Sequence, residues 1–153
     1  MKKLNLPEFD FTFRISESKK QIWDAIRKKY VSLTPEEWVR QNFVAWLVHH
    51  KNYPQGLIGI EKEINVNRMK KRFDIIVFNK SHHPEVLIEC KAPEVTISQK
   101  VFDQIAVYNM AMKVKYLIVT NGMEHFCCTV HHEKQKYSFL AEIPEYENLF
   151  GNN

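Results

Sequence analysis

The sequence predicts an α/β domain: a helix, three antiparallel strands, a second helix and a strand parallel to its predecessor, with extra strands at the C-terminal end. Three observations predict it. Two short β-branched runs, Ile75 to Phe78 and Val86 to Ile88, are bounded by Asn, Ser and Pro and read as adjacent buried strands. Residues 34–50 carry the cap and the apolar stripe of an amphipathic helix. A capped helix beginning at Ser98 then separates the strand ending at Lys91 from a third apolar run, Lys115 to Thr120. A strand–helix–strand crossover of this kind makes its two strands parallel, with a right-handed connection.

Composition bounds the function. The chain has 153 residues, 44% apolar and 26% charged, which is ordinary globular usage and enough for one domain with its own core. We read residues 1–153 as that one domain. No window approaches the ~18 apolar residues of a membrane helix, and MKKLNLPEFD has no signal-peptide core, so a cytoplasmic protein is expected. The cysteines (Cys90, Cys127, Cys128) do not form a disulfide framework, in keeping with a reducing compartment. A net charge of +4 permits an anionic partner such as nucleic acid without demanding one.

Taken in order, Phe9, Phe11 and Phe13 alternate with polar residues and predict a strand. Ser16 or Ser18 could cap a short helix carrying Ile22, Ala25, Ile26 and Tyr30, although the stretch could also be partly extended. Arg27, Lys28 and Lys29 read as a solvated basic face. Thr34-Pro35-Glu36-Glu37 combines an N-cap, a proline at the first helical position and acids in the first turn. Its helix runs to about His50 on the stripe Val39, Phe43, Trp46 and Leu47. Leu57 to Val66 alternates as a half-exposed strand, and Asn67 to Arg72 (NRMKKR) is a basic hairpin loop. Ser98 caps a helix to about Met112 with a ridge of Val101, Ile105, Tyr108 and Met112. Asn121-Gly122 marks a tight turn, and His125 to Val130 and Tyr137 to Leu140 are two more strands.

The chemistry gathers around Asp74 and the triplet Glu89-Cys90-Lys91. Alternation along a strand puts Glu89 and Lys91 on one face and Cys90 on the other. In the hairpin register Asp74 reaches the same place from the neighbouring strand. Burying two carboxylates and an ammonium is costly unless they pair or bind a cation. A sheet-edge salt bridge would explain any one pair; the spacing D-x14-E-x-K argues for a site. Glu37 has a capping role as its simplest reading. For Arg68, Lys70, Lys71 and Arg72 a solvated turn and a phosphate-backbone contact both stay open. Cys127, Cys128, His131 and His132 offer zinc donors, but adjacent strand residues point opposite ways, so the four cannot converge easily.

The phrases TPEEWVRQ, KRFDIIVF, LIECKAP, the QxxxY pair Gln104 and Tyr108, and IVTNG occur in the order seen in the PD-(D/E)xK nuclease superfamily. More closely, the chain resembles stand-alone relatives of the N-terminal nuclease domain of type I restriction enzyme R subunits, over residues 34–122. Phe73-Asp74 replaces the usual Pro-Asp. The resemblance implies a restriction-endonuclease-like core and magnesium- or manganese-dependent hydrolysis of phosphodiester bonds, with DNA as the expected substrate. It implies that Asp74 and Glu89 ligate the metal with the Cys90 backbone carbonyl, since hard oxygen donors suit such an ion. Lys91 would orient the attacking water or offset charge at phosphorus. Glu37 would reach in from the first helix, with Glu36 as its substitute. Gln104 and Tyr108 would support the site and contact nucleic acid. No GxxxxGK[ST] loop is present, so any motor would be a partner protein of a restriction system, and a homodimer is a further expected partner. The competing readings are a non-catalytic nucleic-acid- or partner-binding module on the same fold, and a structural subunit of a larger assembly.

Overall fold

A computed structural model describes residues 1–12, 14–66, 68–109 and 112–150, with only the backbone of Val66, Met69 and Tyr108. Its centre is a six-stranded sheet flanked by two helices. Helix α1 spans Pro35–His50 and α2 spans Gln99–Asn109. The sheet contains β4 (Ile58–Val66), β5 (Met69–Phe78), β6 (Pro84–Cys90), β7 (Tyr116–Thr120), β8 (His125–His131) and β9 (Lys136–Phe139), adjacent in that order. Only β6 and β7 are parallel; they are the two strands joined through α2.

Each helix covers one face. On the α1 side, Val39, Phe43 and Leu47 pack on Ile75, Val77, Val86, Ile88 and Ile118. On the α2 side, Phe102 and Ala106 pack on Ile76, Leu87, Leu117 and Val119. Full burial of one such aliphatic or aromatic side chain stabilises by roughly 1.5–3 kcal/mol, so the two stripes fix both helices. Thr34 caps α1 by accepting the Glu37 N–H at 3.1 Å, and Ser98 caps α2 by accepting that of Val101 at 3.2 Å. The buried ridge of α2 differs from the one expected. Phe102 and Ala106 form it, Ile105 and Met112 pack at its margin, and Val101 is half-buried. One residue of phase turns a helix by about 100°, enough to exchange a margin for a centre.

The first 33 residues correct the expectation. Residues 9–12 form no strand; Phe9 packs against the rings of Phe11 and His49, and Phe11 against Trp38. Phe13 lies outside the described residues. In place of a helix, β1 (Ile15–Ser16), β2 (Gln21–Asp24) and β3 (Lys29–Ser32) form a small antiparallel sheet. Two local features break a helix here. Lys20 and Lys28 have φ of +50° and +55°, and Asp24 Oδ1 accepts the N–H groups of Ile26 and Arg27 at 2.9 and 3.0 Å, a side-chain turn that ends β2. Ile22, fully buried, docks this sheet on Phe11 and Ala45 of α1.

The β4–β5 hairpin is longer than the sequence suggests. Pairing continues to Val66–Met69, so Lys70, Lys71 and Arg72 belong to β5 and not to a loop. Arg68 occupies the turn with φ +66°, and Asn67 lies outside the described residues. The ladder is interrupted once. Rungs Ile60–Ile75 and Lys62–Phe73 are present while Glu61–Asp74 is absent, and Glu61 has φ +49°. Strand alternation breaks there: Ile75 faces α1, whereas Phe73, two residues away, packs on the α2 side. Among the described residues no helix is long and apolar enough to cross a membrane.

Candidate active site

The interruption in the ladder lies where the acidic residues meet. Register Ile75–Ile88 between β5 and β6, advanced by one, sets Asp74 opposite Glu89. Opposed residues of an antiparallel pair share a face. Asp74 Oδ2 accepts the Cys90 N–H at 2.7 Å, which fixes its carboxylate against the end of β6. Glu89 alternates with Leu87 and so faces the α2 side. Burial pushes the Glu89 carboxyl up to about 8; the adjoining Asp74 charge and the hydrogen bond between the two side chains push the same way, against a smaller pull from Lys91. A second carboxylate in contact makes the charged form of Glu89 costly. Lys91 follows directly, its N–H bonded to the Thr120 carbonyl at 2.8 Å, which carries the β6–β7 ladder one residue past Cys90. The Cys90 thiol is buried on the α1 side, and burial raises its pKa well above the ordinary value.

From α1 it is Glu36 that faces this cluster. Glu36 is exposed at the rim, yet partial desolvation raises its pKa, the Asp74 charge raises it further, and Lys91 lowers it. Glu37, the residue expected to reach in, is committed elsewhere. Its carboxylate pairs with Arg40, accepts from the Gln41 amide at 3.1 Å and lies 3.6 Å from Arg27. The reason is helical spacing: Arg40 and Gln41 stand at i+3 and i+4 from Glu37 and share its face, which looks toward the β2–β3 turn. Glu36, about 100° around the helix, is left toward β5 and β6.

Around Glu37 a second charge network closes. Arg40 bonds Asp24 at 2.9 Å, and Arg27 bonds Asp24 at 2.6 Å and Glu61 at 2.8 Å. Arg72 joins at Glu61. Three arginines and three carboxylates balance here, and Arg27 is no solvated residue: its side chain is 17% exposed. The Glu36, Asp74, Glu89 and Lys91 cluster does not balance. Three carboxylates and one ammonium leave a formal excess of two negative charges, one of which a proton on Glu89 removes.

The other expected site residues separate. The Gln104 side chain is exposed on α2 and bonds neither the carboxylates nor any other described residue. The Tyr108 side chain lies outside the described residues. Arg68 and Lys70 are exposed; Arg72 is exposed and paired with Glu61; Lys71 is 5% exposed and so is buried in β5. Cys127 packs on the α1 side and Cys128 on the α2 side. Among the described residues no three or more His, Cys, Asp or Glu side chains converge to hold a metal ion. Magnesium asks for less: it keeps most of its waters and binds through one or two carboxylates plus substrate phosphates. The Asp74–Glu89 carboxyl pair, whose adjoining charges a cation would offset, fits that demand.

Asp24, Arg27, Arg40 and Glu61 escaped the sequence reading. Arg40 at i+3 from Glu37 was the one available signal. Arg40 reaches Asp24 across 16 residues of chain and Arg27 reaches Glu61 across 34, with no motif to link them.

Residues 35–144 match the family model described as the type I restriction enzyme R protein N terminus. The chain belongs to that family. Among solved structures it is similar to a fragment of a putative HsdR subunit of a type I restriction enzyme from Vibrio vulnificus YJ016, with a TM-score of 0.54 and 17% identity. The likeness covers 75% of this chain but 24% of that one, so the chain spans about a quarter of that relative's length. At this identity it shows a shared fold. No curated protein matches. As an R-protein N-terminal domain, the chain is nuclease-related by family and resembles the PD-(D/E)xK nuclease domain that the motifs suggested.

Proposed function

We propose that this R-protein N-terminal domain is a divalent-metal-dependent endonuclease hydrolysing phosphodiester bonds of DNA. The observation that carries the reading is the half-buried Asp74–Glu89 carboxyl pair beside Lys91, in a cluster where three carboxyl groups face one ammonium. A binding-only domain has no physical need for such a desolvated cluster. Asp74, oriented by the Cys90 N–H, and Glu89 would hold magnesium or manganese, with the Cys90 carbonyl as a further oxygen donor. When bound, that ion supplies charge neutralisation at the phosphate and acidifies a water. Lys91 then orients the attacking water and offsets charge at phosphorus. Glu36 extends the acidic surface from α1, in the role first given to Glu37. Arg68 and Lys70, exposed at the hairpin tip, contact the DNA backbone, and Gln104 and Tyr108 contact it from α2. A restriction-system motor protein and a second copy of the chain are the partners this reading expects.

The test incubates pure protein with plasmid and with single-stranded DNA, with magnesium or manganese, beside Asp74→Ala and Lys91→Ala. Metal-dependent nicking that both substitutions abolish is the expected result. No cleavage, together with no metal binding by calorimetry, would leave the binding module as the function.

A further inference from the structure

Away from the carboxylate cluster, a cavity among the described residues is lined by cations and by no carboxylate. A cleft of about 470 Å³ opens between the β2–β3 turn and strand β4. Arg27, Lys28, Gln55, Gly56, Gly59 and Lys62 line it, and no carboxylate does. Arg27 spends its charge on Asp24 and Glu61, whereas Lys28 and Lys62 make no ion pair among the described residues.

The cleft is built to receive a chain of anions. β4 is an edge strand, so one row of its backbone N–H and C=O groups is unused by the sheet. Gly56 has open space where a side chain would stand, so a ligand can approach the backbone there. Lys62 lies along the cleft: its stem crosses Gly59, where an added Cβ would lie 2.9 Å from Lys62 Cδ, and its ammonium sits 5.4 Å from the centre of the Phe78 ring. Lys28 stands at the turn with φ +55°. The cleft also adjoins the carboxylates. Its wall residue Arg27 bonds Glu61, the neighbour of Lys62, and Glu61 occupies the interrupted rung opposite Asp74.

We propose that this cleft is a binding track for a DNA phosphodiester backbone, with Lys28 and Lys62 as its phosphate contacts, leading the strand to the Asp74–Glu89 pair. The inference rests on the nuclease reading for its ligand, but the two fail separately, because binding is measured without cleavage. The full chain, carrying Lys91→Ala and held in EDTA, is titrated against fluorescently labelled duplex DNA by anisotropy over a range of salt. Each lost phosphate contact lowers the slope of log affinity against log salt by about 0.9. Lys28→Gln with Lys62→Gln should therefore weaken binding about tenfold and flatten the slope by nearly two such steps, with an unchanged thermal melt. Gly59→Ala, which removes no charge, should weaken binding by displacing Lys62. Unchanged affinity and slope in the double variant overturn the proposal, as does absence of DNA binding by the parent chain. Inorganic phosphate competing beyond its contribution to ionic strength would make free phosphate the occupant and overturn it too. Loss of cleavage in the parent protein with the binding pattern intact would sink the nuclease alone.

Discussion

Arg40 and Asp24 meet 2.9 Å apart in the interior, with side chains 4% and 2% exposed. Through this pair the N-terminal sheet grips the first turns of α1. Removing one partner of a buried pair leaves the other uncompensated, so the contact ties β2 to the orientation of Glu36 and Glu37.

Acid titration should expose that tie. Burial pushes the Asp24 carboxyl up, but the bonds from Arg40 and Arg27 outweigh it and hold its pKa at about 2, down from 3.8. A depressed folded-state pKa gives stability that is present above the unfolded value and lost as pH falls through the folded one. At about 1.4 kcal/mol per unit, that is roughly 2 kcal/mol. Urea unfolding midpoints of the native protein should fall between pH 4 and 2 more steeply than those of Asp24→Asn. Parallel curves for the two proteins would show that the pair contributes nothing.

Glu36 and Glu37 should separate activity from stability. Glu37→Gln strips Arg40 and Arg27 of a carboxylate and should cost about 1–3 kcal/mol in denaturant unfolding. Glu36→Gln breaks no hydrogen bond or ion pair among the described residues. It should leave stability within about 0.5 kcal/mol while lowering metal-dependent cleavage by roughly 10-fold or more. The reverse pattern would return Glu37 to the site.

Gly122 has φ +83°, and a Cβ there would meet Leu4 Cδ2 at 2.8 Å and Val39 Cγ2 at 3.1 Å. Gly122→Ala should therefore destabilise by about 1–3 kcal/mol, seen as a lower melting temperature. An unchanged melt would mean that the N-terminal segment gives way freely over the turn.

Burial pushes the Cys127 and Cys128 thiols up to about 12 and raises that of Cys90 well above its usual value. Only a thiolate attacks disulfide reagents. The folded protein should leave all three unreacted at neutral pH, and unfolding in guanidinium should release them together. Rapid labelling of a native thiol would contradict this packing.

Local sequence settled much of the architecture. Thr34-Pro35 starts α1 through a cap and a fixed φ, Ser98 starts α2, and the β-branched runs at Ile75 and Val86 form central strands because a continuous apolar run supplies apolar side chains to both faces of a sheet. It also set Asp74 and Glu89 in adjacent strands, since hairpin register fixes who stands opposite whom. Tertiary structure decided what depends on distant partners. Glu36 and Glu37 are indistinguishable as neighbouring acids until Arg40, Arg27 and Asp24 claim one of them. The β2–β3 turn depends on Asp24 bending its own backbone, a choice that the helical spacing of Ile22, Ala25 and Ile26 conceals. The excess charge at Asp74, Glu89 and Glu36 appears only in three dimensions: Coulomb interactions act through space, and residues from α1, β5 and β6 become neighbours only when the sheet and helix pack.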